Sequence, residues 1–451
     1  MRGFALLFLL TVPAEAGFFA AAGKVDITPD PAAGNVYLAG YGAFGKKAVG
    51  VRDPLYARVL IVSDGTSTVA LVSVDLIGFY RNDVLDLRRR VKVPVFLTAT
   101  HTHSGPDTLG MWGRFLGFSG VDDVYQERVK TAIASLIGDL LKTLEPAELS
   151  AASEIVNTGD WLYDRRDPEI IDSELNTLSV RDARGKTIAT GIRFSCHATL
   201  YGRDRDRISA DYPGRWCDEV EKKNGGTCLF FPGSIGGHTV PKPGILEFPL
   251  PEIKGPLDAI KPGPVRFSHR DVFIPIENPL FLALLPRLAF GHDLFESDQT
   301  PLASWKHWWL PLRHLVAFPL PEAARPWVWT EVSLVELGAL KILGIPGESF
   351  PEQAIGGYAG ASIGSDNPNP PKLVDAPKGP YLRARLAAKH AWIVNLANDE
   401  IGYTIPSYDF QITQARLMKP RPQGTHYGET NSIGKRSTDL IMDAARELIA
   451  R

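Results

Sequence analysis

The sequence predicts an α/β fold, a large single domain of mixed β-sheets layered against helices, and three observations carry that reading. Short apolar runs rich in valine, isoleucine and leucine recur from about residue 55 to residue 396. Between them lie stretches whose apolar residues repeat at helical spacing. Glycine (42) and proline (35) are frequent, which suits a loop-rich globular chain rather than a bundle or a repeat. The 451 residues could make two or three average domains, but no convincing linker divides them, so 17–451 reads as one domain.

The elements follow in order. MRGFALLFLLTVPAEAG has one arginine, an apolar core from Phe4 to Val12 and the small-residue ending Ala14-Glu15-Ala16. It reads as a secretory signal peptide, residues 1–16, with cleavage after Ala16 or nearer Ala22; it is too short for a comfortable membrane span. The expected location is therefore secreted or periplasmic. The rival reading of this stretch is a buried N-terminal strand. Residues 55–78 read as two strands around an Asp-Gly turn, 82–92 as a helix and VPVFLTAT as a strand. Residues 121–143 carry the spacing of a long amphipathic helix. Strands are expected at 175–181, 187–195, 227–231, 329–344 and 391–396, with helices at 211–223 and 435–450.

One segment stands apart. From about 271 to 329 the chain holds five of its nine tryptophans, with prolines at 275, 279, 286, 301, 311, 319, 321 and 326 that forbid a long straight helix. It reads either as an irregular insertion covering the core or as an apolar lid with possible peripheral membrane contact, since tryptophan suits a boundary between grease and water.

Charged residues make up 22% and the net charge is −2, so bulk electrostatics favour no nucleic acid. Arg88, Arg89 and Arg90 read as a solvated helix face. Three cysteines allow at most one intramolecular disulfide, and Cys217–Cys228 is the pair to test first.

The chemistry-bearing residues sit where apolar strands end. TATHTHSGP places His101 and His103 two residues apart after VKVPVFL, and strand alternation would send both to one face. His197 follows a strand in RFSCHATLY, Glu348 follows one in ILGIPGESF, and Tyr403 lies in NDEIGYTIP. Each alone is weak, because a strand-end histidine is more often structural. Together they are metal-ligand types at the ends of separate strands, where α/β folds collect their sites. That much supports a metal hydrolase.

THTHSGP also resembles the signature of the neutral (non-lysosomal) ceramidases, zinc amidases that cleave the N-acyl bond of sphingolipids. The similarity runs through KVDITP (24–29), LAGYG (38–42), DPLYARVLIV (53–62), HAT (197–199), ISADYPG (208–214), IPGE (345–348), GYTIP (402–406) and HYGET (426–430). The resemblance implies a zinc site at strand ends, with His101, His197, Glu348 and Tyr403 as ligands. It gives His103 to the substrate carbonyl or its oxyanion. It matches Arg165, with Arg166 as a rival, to an arginine near the scissile amide, and Tyr427 to a donor for the tetrahedral intermediate. Asp211 would stand nearby as a partner for a ligand histidine. The implied reaction is attack on the amide carbonyl by water activated at zinc.

Two departures bear on substrate. The family's Gly-Asp-x-Ser-Pro turn is SIGGHTVP here, residues 234–241, so Thr239 stands for the serine, Gly237 for the aspartate and Val240 for the proline. His238 is a candidate to compensate for the lost carboxylate. The chain also ends soon after Tyr427, so the family's C-terminal β-sandwich is expected to be missing. The expected function is a secreted zinc amidohydrolase for ceramide or a related lipid amide. The alternatives are a related hydrolase for another amide or an ester, and a non-catalytic lipid-binding homologue.

Overall fold

The computed structural model describes residues 17–42, 44–115, 118–202, 206–237, 239–245, 248–251, 256–278, 291–303, 325–358, 361–365, 367, 370–411 and 428–451. Two mixed sheets pack face to face, and each carries helices on its outer side. The larger sheet has nine strands. Its central path runs from Thr227–Pro232 through Thr187–Phe194, Glu174–Asp182, Glu145–Ile155, Phe18–Asp26, Tyr56–Ser63 and Thr68–Val74 to Val95–Ala99. The second sheet has five strands, with Val265–Pro275, Trp327–Leu337, Leu340–Gly344 and His390–Val394 in that order.

Side-chain alternation decides what lies between the layers. Leu60, Leu71, Phe96, Leu178, Leu229 and Phe231 point from the large sheet onto Val335, Leu337, Ile342, Trp392 and Val394 of the second, forming the central core. The alternate residues Val59, Ile61, Val72 and Leu97 face Val129, Ile133 and Ile137 of the helix Asp123–Leu140, together with Val84 and Leu87 of Arg81–Val91. On the far side, Ile274, Val332 and Leu343 meet Ile441, Ala445 and Leu448 of the C-terminal helix Ser437–Ile449. The layer order is therefore α-β-β-α. No helix among the described residues is long and apolar enough to cross a membrane.

The expected hairpin spans Tyr56–Ser63 and Thr68–Val74 around Asp64-Gly65, and the helices at 82–92, 121–143, 211–223 and 435–450 all form within a few residues of their expected bounds. Of the long strands in the two main sheets, Phe18–Asp26, Glu145–Ile155 and Val265–Pro275 went unread. Phe18–Asp26 (FFAAAGKVD) hides behind alanines that look like the end of a leader. Yet it pairs with Tyr56–Ser63 over eight positions, and Phe18 and Ala20 are buried. A cut after Ala22 would remove more than half of that strand, whereas one after Ala16 leaves it whole. Residues 1–16 themselves lie outside the described residues.

The described ends of the aromatic segment are regular structure. Val265–Pro275 pairs antiparallel with Trp327–Leu337 along its whole length, from Val265↔Leu337 to Pro275↔Trp327. Pro275 falls on the last position of its strand, where the ladder tolerates a missing donor. Trp329 stacks on Phe273 at 6.2 Å and receives the Arg81 guanidinium 3.7 Å from its ring centre. Trp305, Trp308 and Trp309 lie outside the described residues. The expected Cys217–Cys228 disulfide is not formed: all three cysteines are free and buried.

Candidate metal centre

The C-terminal ends of four strands converge where the two sheets meet. Val95–Ala99 is followed by His101, Thr187–Phe194 by His197, Leu340–Gly344 by Glu348, and His390–Val394 leads on to Tyr403. Two buried asparagines fasten these ends together. Asn395 accepts from Ile235 N (3.2 Å) and Ser349 N (2.8 Å), and Asn398 accepts from Leu97 N at 2.8 Å. Glu348–Ser349 then pairs in parallel with Tyr403–Thr404, which sets the carboxylate beside the phenol.

Each histidine is held the same way. His101 Nδ1 lies 2.7 Å from the carbonyl of Ile77, His103 Nδ1 lies 2.9 Å from that of Gly40, and His197 Nδ1 lies 3.3 Å from that of Thr239. A ring that donates from Nδ1 to a carbonyl keeps its lone pair on Nε2, the arrangement that orients metal-binding imidazoles. The three rings offer nitrogens that all lie within 4.8 Å of one another. Glu348 Oε2 sits 2.9 Å from His197 Nε2 and 3.5 Å from His101 Nε2, and the Tyr403 hydroxyl lies 3.4 Å from His197 Nε2.

The backbone is bent to achieve this. His101 has φ 62°, in the left-handed region, at a cost of about 1 kcal/mol. Its N–H donates to Leu76 and its ring to Ile77, so both ends of the residue are fixed. Gly40 has φ 97°, and a Cβ there would stand 2.2 Å from His103 Nδ1. Only glycine lets that carbonyl approach the ring.

Electrostatics follow from burial. Desolvation, partly countered by Glu348, holds the His101 imidazole below its ordinary pKa, so it is a neutral donor of electrons at neutral pH. Burial alone would raise Glu348, but His101 and His197 outweigh it and hold the carboxyl low. Imidazoles, one carboxylate and one phenol form a donor set suited to a divalent ion with nitrogen and oxygen preference.

Residues 18–230 match the family model for neutral/alkaline non-lysosomal ceramidases, N-terminal. That region, just under half of the chain, is similar to this family. The chain is also 27% identical over 260 residues to the neutral ceramidase of Pseudomonas aeruginosa strain PAO1, across 51% of this chain and 38% of that protein. The aligned part thus spans well under half the length of that relative. In fold, 97% of the chain matches the crystal structure of neutral ceramidase from Pseudomonas aeruginosa at TM-score 0.64 and 19% identity, covering 75% of that chain. A structure of ceramidase complexed with C2 matches at TM-score 0.61 and 17% identity, covering 76% of its chain.

Among the expected site residues, His101, His103, His197, Glu348 and Tyr403 come together. His103 belongs to the same nitrogen cluster as His101 and His197, so proximity alone does not separate it from them. His101 and His197 are 4% and 1% exposed, and His103 is part-buried with its Nε2 itself buried. Thr239 is fully buried, and its carbonyl accepts from His197 N at 2.9 Å; among the described residues its hydroxyl has no hydrogen-bond partner. It supports the site through its main chain, which a motif match on the hydroxyl could not show.

Asp211 does not hold a ligand histidine. With φ 57° it turns its carboxylate back onto Leu200 N (3.0 Å) and Tyr212 N (2.7 Å), fixing the turn after His197; burial pushes its pKa up to about 7. Arg165 is exposed, with Nε donating to the Tyr163 hydroxyl at 3.2 Å. Arg166 is buried, ion-paired to Glu352 and to Asp409 (3.1 Å), and lies 4.1 Å over the Phe350 ring. Gly237 has a steric reason, since a Cβ there would meet Pro351 at 3.0 Å and Asp164 Oδ2 at 3.2 Å. Tyr427 and His238 lie outside the described residues.

A partly open pocket leads to the cluster. Its lining includes His101, His103, Glu348, Tyr403, Trp112 and Glu400. Glu400 was missed in the sequence, where it reads as one polar residue of a loop. It is 3% exposed; Gly402 N donates to its Oε1 at 2.6 Å, and its Oε2 has no hydrogen-bond partner among the described residues. Burial, reinforced by the charge of Glu348, pushes its carboxyl well above the usual range.

Proposed function

We propose that this protein is a secreted zinc-dependent amidohydrolase that cleaves the N-acyl bond of ceramide or a related lipid amide. The observation that carries the reading is the convergence of three imidazoles, each oriented through Nδ1, on the Glu348 carboxylate at the end of an apolar-walled pocket. Leu109, Met111, Trp112 and Ile77 supply the apolar wall that an acyl chain would need. The N-terminal stretch supports export to a periplasm or beyond.

In this reading His101, His197, Glu348 and Tyr403 hold the ion. When bound, zinc supplies Lewis-acid chemistry, acidifying water and polarising the acyl oxygen. His103, the most exposed of the three rings, faces the substrate and hydrogen-bonds the acyl oxygen as charge develops there. Tyr427 is assigned a second donation to that oxygen on the resemblance. Arg165 is the arginine of its pair with a guanidinium left to meet substrate, since Arg166 is taken up by two carboxylates. Thr239 positions His197 through its carbonyl. Hydrolysis forms a C–O bond from water and breaks the C–N bond, so a proton must reach the departing nitrogen. Glu400, a buried carboxyl whose pKa is raised by burial and which lines the same pocket, is the candidate to deliver it.

Turnover of a fluorescent short-chain ceramide tests the reading, with His101→Ala and His197→Ala as controls. Activity in the wild type that both substitutions abolish supports it; activity that survives either one removes the site assignment. The altered SIGGHTVP turn favours a second reading, hydrolysis of another amide or an ester, and a panel of N-acyl amino acids and simple esters separates the two. Zinc without turnover of any of them would leave a lipid-binding homologue.

A further inference from the structure

The largest exposed aromatic side chains in the described structure sit together on two neighbouring loop tips. Phe44 is 61% exposed, Phe115 54% and Phe118 64%. Phe115 and Phe118 meet edge to face at 6.0 Å. Gly45 N donates to the carbonyl of Gly113 at 2.8 Å, which joins the tip carrying Phe44 to the tip carrying the other two. Val49 and Val51, 68% and 38% exposed, extend the apolar surface along the first loop. Rings left in water at this density are rare on a soluble surface and mark a contact.

Two further facts say what kind of contact. The patch is basic: Lys46 and Lys47 follow Phe44 and are exposed, and the exposed Arg114 lies 5.3 Å over the Phe115 ring. Its position is also specific. Gly40, four residues before Phe44, and Leu109, Met111 and Trp112, just before Phe115, line the pocket that leads to the histidines. The buried Asp107 carboxylate accepts from Leu109, Gly110, Trp112 and Gly120 N at 2.7–3.0 Å, which anchors the chain on either side of the two phenylalanines.

We propose that this rim docks on an anionic lipid bilayer, with Phe44, Phe115 and Phe118 entering the headgroup boundary and Lys46, Lys47 and Arg114 meeting lipid phosphates. The pocket mouth then opens onto the membrane, so a lipid amide can enter without crossing water. The contact expected from the sequence was the 271–329 segment. Among the described residues, that segment contributes no large exposed apolar side chain, and the rim is a different surface. The proposal deepens the lipid-amide reading above, but its test is read without turnover, so the two can fail separately.

The test is co-sedimentation of the full chain with vesicles of phosphatidylcholine alone and of equal parts phosphatidylcholine and phosphatidylglycerol. The wild type should pellet with the anionic vesicles. Phe44→Ser/Phe115→Ser/Phe118→Ser should lose at least tenfold in partitioning while keeping its melting temperature, because the rings contribute little to the core. Lys46→Glu/Lys47→Glu should lose binding to anionic vesicles severalfold. Phe118→Ser alone provides a milder variant should the triple one misfold. Equal binding by wild type and the aromatic variants would overturn the proposal, as would a wild type that ignores both vesicles. Sedimentation velocity adds one more overturning result: a dimer that the triple substitution dissociates, without vesicle binding, would make the rim an interface between copies of this chain.

Discussion

Glu348 and Glu400 line the same pocket and are almost equally buried, yet their surroundings drive them in opposite directions. Glu348 faces two imidazoles that hold its carboxyl low, so it stays a carboxylate. Glu400 is buried with one backbone donor, an oxygen that has no partner among the described residues and the charge of Glu348 nearby, so its carboxyl is pushed well above the usual range. Burial is common to both; the difference lies in what the burial encloses. Two carboxyls separated in this way can divide labour, one binding a cation and the other carrying a proton.

The largest effect should come from breaking the low member. Glu348→Gln removes the anion shared by His101 and His197, and both bound zinc and amide hydrolysis should fall to background. Metal analysis and turnover read on the same sample check this. Breaking the high member should be more selective. Glu400→Gln should slow amide hydrolysis about a hundredfold, the scale of a lost proton donor. Cleavage of a p-nitrophenyl ester, whose leaving group needs no proton, should fall far less. Equal loss on both substrates would show that Glu400 is merely structural. The wild-type amide rate should also decline as pH rises through the elevated pKa of Glu400, and the Gln variant should lack that limb.

Disturbing the third wall is expected to do less. Gly40→Ala places a Cβ against the His103 ring, and kcat should drop about tenfold or more as the ring is displaced. The principle that enclosed charge sets direction can be tested away from the pocket. Asp172 meets Arg193 and Arg383 and is held below the usual carboxylate range despite burial. Asp164 shares Arg166 with Glu352, and its pKa is pushed up to about 8, chiefly by burial. Below the ordinary carboxylate pKa of 3.8, folded and unfolded chains both hold that proton and it costs nothing. Above that pH the unfolded chain ionises first, so the fold loses stability until about pH 8. Asp164→Asn should therefore raise the melting temperature most at alkaline pH, with the gap closing as pH falls. The smallest effect belongs to Thr239→Ala. The hydroxyl has no partner among the described residues and the carbonyl is kept, so turnover should stay within severalfold and stability should shift by about 1 kcal/mol or less.

Much of this was legible in the sequence, and the reasons are local. The hairpin around Asp64-Gly65 and the helix Asp123–Leu140 announce themselves by turn chemistry and apolar period. His101, His103, His197, Glu348 and Tyr403 were readable because each follows an apolar strand, and strand ends are where such a fold gathers its polar groups. Phe18–Asp26 and Glu145–Ile155 were not, because alanine, serine and glutamate give a weak alternation that only their sheet partners make sense of. Glu400 and Asp211 show a different limit. Whether a carboxylate meets an imidazole, a backbone N–H or nothing is fixed by chain segments far away in sequence. The reversed φ that turns Asp211 onto Leu200 leaves no mark in ISADYPG.

The central claim is that the histidine cluster holds a zinc ion which this protein needs to cleave a lipid amide. The most direct test is to strip the purified protein with a chelator, measure hydrolysis of a fluorescent short-chain ceramide, and then add zinc back in known amounts. The account predicts that activity disappears on stripping and returns in proportion to zinc up to one equivalent, with no return in Glu348→Gln. Hydrolysis that continues unchanged in the metal-free protein would contradict it.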